Sequence, residues 1–252
     1  MATVDFNTVP SGVTLNEERI QQLSDRAAET ATAFNRKLEK LSATVAEARD
    51  NYSREADELI KSSSPEDRAA ARNFAKKNAA NKAANIHRSL IASSEPDRAA
   101  MLGALKKLAD EAAAIQSVYT SPVQMLGRVA LGDPRRTNLI HQLEGAGPVE
   151  LETAARTAVM SGDMVLASAI ITVIDRRPRD RRPFPPADLA TRIVGEVWKR
   201  ISAKLDGVQL AHKSAVAADR EFVRGKADPI ANLSLQLSQR AIDEAASEGE
   251  EA

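Results

Sequence analysis

The chain has 252 residues, with 35 Lys and Arg balanced by 35 Asp and Glu, so no global field favours nucleic acid or a membrane as partner. It has no cysteine, which excludes disulfides, thiolate nucleophiles and Cys-ligated zinc. Aromatic residues are only 3% of the chain and alanine dominates the apolar fraction, a composition that favours helices but fills core volume poorly.

Residues 1–13 read as an extended leader, in which Val4, Phe6 and Val9 alternate with polar residues before Pro10-Ser11-Gly12 turns the chain. Thr14-Leu15-Asn16-Glu17 has the spacing of a capping box, which satisfies two free amides at a helix start. No Gly or Pro then occurs until Pro65, and apolar residues recur in a heptad register. Ile20, Ala27, Phe34, Leu41 and Ala48 fall at one seam position; Ala31, Leu38, Val45, Tyr52 and Leu59 fall at the other. The pattern predicts a coiled-coil-like helix roughly 70 Å long. Ile20, Ala27, Phe34, Leu38, Leu41, Val45, Tyr52 and Leu59 are its candidate protein interface, the alternative being that the stripe packs within its own domain.

A short repeat follows. Ser63-Ser64-Pro65-Glu66-Asp67-Arg68-Ala69-Ala70 recurs as Ser93-Ser94-Glu95-Pro96-Asp97-Arg98-Ala99-Ala100. Each copy carries Ser, Pro and acidic residues, the signals of a helix start, so the repeat predicts two helices near 65–92 and 95–118. Prolines and glycines break 121–150 into two short helices. A helical hairpin is expected next, Val149–Met160 and Met164–Ile174, joined by Ser161-Gly162-Asp163; its second helix is the most apolar piece of the chain. Arg176 to Pro186 reads as an exposed, non-helical connection. A long helix is expected from about Ala187 to Arg224, with Leu189, Ile193, Val197, Ile201 and Leu205 on one face, and a last one to about Ala246. The tail from 247 to 252 is acidic and reads as mobile. The expected fold is all-α, with a leader at 1–13, a long helix plus duplicated helix pair at 14–120, and a C-terminal helical bundle at 121–246.

The chemistry-bearing residues are sparse. His87, His141 and His212 are far apart in sequence, and His141 with Glu144 is a single helical pair, short of the repeated motif a di-iron bundle needs. Glu144-Gly145-Ala146-Gly147 lacks the third glycine and the preceding strand of a dinucleotide site, and there is neither a Walker lysine nor a Gly-x-Ser-x-Gly elbow. No cofactor, metal or catalytic residue is assigned. The longest apolar run, Met164 to Ile174, is about half of what a membrane span requires. Met1 to Phe6 has neither a basic nor an apolar signal region, so the expected compartment is the cytoplasm, or a virion if the chain is phage-encoded.

Basic residues carry more weight. Between Lys61 and Lys107 there are ten Lys or Arg against four acids, and Arg176, Arg177, Arg179, Arg181 and Arg182 crowd the proline-rich connection as candidate ligands for phosphate or an acidic partner. The resulting expectation is a non-enzymatic structural or assembly protein acting through helix contacts with itself or another protein, of the kind found in a tailed-phage head, neck or tail. The alternative is a nucleic-acid-binding or regulatory module using the helices over 61–107 and the Arg-rich loop at 176–182.

Overall fold

The computed structural model describes residues 17–247, and the fold is all-α. The leader at 1–13, the Thr14 end of the capping box and the tail beyond Ser247 lie outside the described residues. The helices are α1 (Glu17–Ser62), α2 (Arg68–Val118), α3 (Pro122–Arg128), α4 (Pro134–Glu144), α5 (Pro148–Ser161), α6 (Met164–Asp175), α7 (Pro186–Arg224) and α8 (Pro229–Ser247). Contacts divide them into two compact units that are not sequential segments. The first takes the described residues up to Gln22, Asp110–Gly207 and those from Gln239 on; the second takes Leu23–Ala109 and Val208–Ser238. The division differs from the expected break near residue 120 because α1, α2 and α7 are each long enough to supply both units.

In the first unit α6 is the centre, packed against α3, α4 and α5. Its residues Ala167–Ile171, Val173 and Ile174 are buried, as a helix apolar around most of its circumference requires. The α5–α6 corner is set by Gly162, whose φ of 64° closes α5 in the left-handed conformation, and by Asp163, whose carboxylate accepts from the Val165 and Leu166 amides at 3.0 Å each. The prolines that break 121–150 sit at the first position of α3, α4 and α5, where a missing N–H costs no helical bond.

In the second unit Phe34 and Leu38 of α1, Leu105 of α2 and Ala215 and Phe222 of α7 form a buried cluster. The repeat behaves differently in its two copies. Ser63–Ala70 separates α1 from α2 as expected, but Ser93–Ala100 lies inside α2, so the predicted pair at 65–92 and 95–118 is one helix. Pro96 removes an amide and crowds the preceding turn, which ordinarily ends or kinks a helix. The carbonyl that Pro96 leaves without its helical amide is that of Ala92; in the turn just before it, Ser94 Oγ donates to Leu90 O at 2.6 Å and Arg98 Nη2 donates to Ile91 O at 3.1 Å. Arg68 and Ser64, their counterparts in the first copy, are not buried.

Candidate functional site

The densest polar convergence in the second unit surrounds Phe222, near the end of α7. Arg98 is 4% exposed; its guanidinium pairs with Asp219, donates from Nε to Ser94 Oγ at 3.0 Å, and lies 5.4 Å over the Phe222 ring. On the same ring His87 stands edge-on at 5.4 Å, with its Nε2–H donating to the Phe222 carbonyl at 2.8 Å. Since a carbonyl only accepts, that bond assigns the proton to Nε2. Glu221 accepts from the Asp228 amide at 2.6 Å and from Asn232 Nδ2 at 2.8 Å, holding the α7–α8 turn. An open cleft of about 520 Å³ lies beside them, lined by Asn35, Arg49, His87, Glu221 and Lys226 among others. His87 Nε2 and Glu221 Oε1 bond backbone groups and an amide side chain, so through these atoms the arrangement clamps helix ends.

Elsewhere the chemistry is equally local. His141 Nδ1 lies 3.9 Å from Glu144 within α4, and Glu144 also takes Arg176 at 2.8 Å. Among the described residues no group of three or more His, Asp or Glu side chains is placed to hold a metal ion. In the first unit the half-buried Arg136 donates to Ser168 Oγ and Thr172 Oγ1 at 2.9 Å each and to Gly127 O at 3.0 Å, tying α3, α4 and α6 together. On the surface, a hydrogen bond from Lys37, reinforced by its charge, holds the Asp97 carboxyl below the usual carboxylate range.

The Arg-rich connection is more structured than expected, with a single 3-10 turn at Arg179–Arg181. Its five arginines do not act as one set. Arg177 Nη2 donates to Ala146 O at 2.7 Å, just past the end of α4. Arg182 donates to the Asp175 carbonyl at 2.9 Å and pairs with the Asp175 carboxylate at 3.2 Å, which caps the end of α6. Arg176 pairs with Glu144. Arg177 and Arg182 are half-buried and spend donors on the chain's own carbonyls; Arg176, Arg179 and Arg181 are exposed.

The α1 seam divides similarly. Ile20, Ala27, Phe34, Leu38 and Val45 are buried against their own chain, and Leu41 and Tyr52 are half-buried. These residues therefore form an internal packing stripe rather than a free interface. Leu59 is 47% exposed, while Ala56 is buried and Ile60 half-buried. A strict 3.5-residue repeat drifts by about 20° per heptad on a straight helix, and after five heptads the buried position has moved off Leu59.

Among the described residues, a face of α8 and a groove in the first unit carry apolar side chains open to solvent, and neither was singled out by sequence. On α8, Ile230 is 81% exposed and Leu233 and Leu237 are 57% exposed each. Their spacing of three and four residues puts them on one helical face. That spacing was the available signal, masked because Ala231, Leu235 and Ile242 supply a second apolar face. In the first unit Ala155, Val159, Met160, Phe184 and Leu189 line an open groove of about 490 Å³, with Met160 89% exposed. No helix among the described residues is long and apolar enough to cross a membrane.

Compared with protein-family models, with curated proteins and with solved structures, the chain finds no match in any of the three.

Proposed function

We propose that this chain is a non-enzymatic structural or assembly protein that works by packing its helices against copies of itself or another protein. The observation that carries this reading is the outward apolar face of α8, where Ile230, Leu233 and Leu237 meet solvent. A contiguous exposed apolar face on a folded chain marks a contact surface. Burying one such side chain is worth about 1.5–3 kcal/mol, and association costs about 4–15 kcal/mol of translational and rotational freedom. Three side chains alone leave pairing marginal, so a stable contact recruits more surface, and the groove beside Met160 is of the same character. In its finer form the proposal assigns the chain to the cytoplasm or to a tailed-phage virion, on its Cys-free, Ala-rich helical composition.

Light scattering across a concentration series tests it. Self-association that Leu233→Ser with Leu237→Ser abolishes, while leaving the circular dichroism spectrum unchanged, is the expected result. A monomer at every concentration whose α8 face also stays accessible to labelling in its native assembly defeats the proposal.

A further inference from the structure

We propose that the outer face of the first half of α2 binds single-stranded nucleic acid, a role beyond the assembly function above. From residue 68 to residue 94 the chain has six Lys or Arg and no Asp or Glu, a local excess hidden by the overall neutrality. Arg68, Arg72, Lys76 and Lys77 are all exposed and form no ion pair among the described residues; of these, Lys77 lies on the outer face, while Arg68 and Arg72 share the side of Ala75 and Lys76 borders the cleft toward α1. The packed side of α2 is marked by the buried Ala75 and Ala83. Opposite it, Phe74, Lys77, Asn81, Asn85 and Arg88 are all exposed and share one helical face. From Phe74 to Arg88 that face runs about 21 Å at the α-helical rise.

The combination names its occupant. Phe74 is 67% exposed, so its ring is open to a stacking partner. Base–aromatic stacking requires an unpaired base, which a duplex does not offer. Lys77 and Arg88 supply cations for phosphate, and Asn81 and Asn85 supply amides that both donate and accept along a backbone or base edge. Arg88 Nη2 already donates to Asn85 Oδ1 at 2.6 Å, which orients the Asn85 amide nitrogen away from the guanidinium. A membrane surface would call for several apolar side chains on this face, where there is one among amides; an acidic peptide would leave the ring unused.

Fluorescence anisotropy with a labelled oligothymidylate and the full-length chain tests the proposal. Expected is binding whose logarithm falls with log salt at about 0.7 per phosphate contacted. Phe74→Ala weakens it roughly 5- to 150-fold at unchanged salt slope, the range of one lost stacking contact. Lys77→Gln with Arg88→Gln lowers the slope by about 1.4, for two phosphates. Every substituted side chain is exposed, so an unchanged circular dichroism spectrum certifies the fold. Absence of binding at about 50 mM salt overturns the proposal. So does indifference to Phe74→Ala, equal competition by duplex, or preference for phosphatidylserine vesicles with the same dependence on Phe74.

Discussion

The guanidinium of Arg98 on α2 pairs with the carboxylate of Asp219 on α7 while also donating to the Ile91 carbonyl, so one buried side chain both joins two helices and braces the turn of α2 that precedes Pro96. The side chains are 5% and 20% exposed, which places the pair largely out of water. Desolvation makes such a pair weak evidence of net stabilisation, but removing one partner leaves the other charge uncompensated.

Arg98→Met is therefore expected to destabilise the chain by about 3–5 kcal/mol in urea denaturation. Asp219→Asn with Arg98→Met should recover part of that loss, since both charges are then gone. A single-variant cost below about 1 kcal/mol would show that Asp219 reaches water without its partner.

Two glycines of the α7 region should respond with opposite sign to the same change. Gly225 has φ of +69°, and a Cβ there would stand 3.1 Å from His87 Cε1, so Gly225→Ala meets both backbone strain and the clamp on Phe222. The expected cost is about 1–2 kcal/mol. Gly207 lies inside α7, where an added Cβ would meet nothing within 4 Å, so Gly207→Ala should stabilise by about 1 kcal/mol through helix propensity. Thermal unfolding of the two variants decides the matter; equal effects would mean that the left-handed turn at 225 is not maintained in solution.

The arginines of the 176–182 connection should separate into two classes. Arg177→Gln and Arg182→Gln each remove a charged donor from carbonyls at helix ends and are expected to cost about 1–2 kcal/mol. Arg179→Gln and Arg181→Gln, on exposed side chains, should change stability by less than about 0.5 kcal/mol. If all four behave alike in chemical denaturation, the capping roles of Arg177 and Arg182 are wrong.

Much of the fold was legible in the sequence because it depends on local rules. The breaker-free stretch before Pro65 is α1, the Ser161-Gly162-Asp163 corner joins α5 to α6, and the prolines of 121–150 open short helices. Helix starts and stops are set by a few neighbouring residues, whose backbone preferences and caps act over one turn. The repeat shows where that reasoning ends: both copies carry the same start signals, and only one separates two helices.

By itself, then, the sequence determined the all-α class and most helix boundaries. The tertiary structure decided which surfaces are free. It buried Phe34 and Leu38 against Leu105 and Phe222, committed Arg98, Arg177 and Arg182 to the chain's own charges and carbonyls, and left Ile230, Leu233, Leu237 and Phe74 in solvent. The reason is physical. A helical pattern states which side chains share a face, but whether that face meets water or another helix depends on partners far away in the chain: Asp219 lies 121 residues from Arg98.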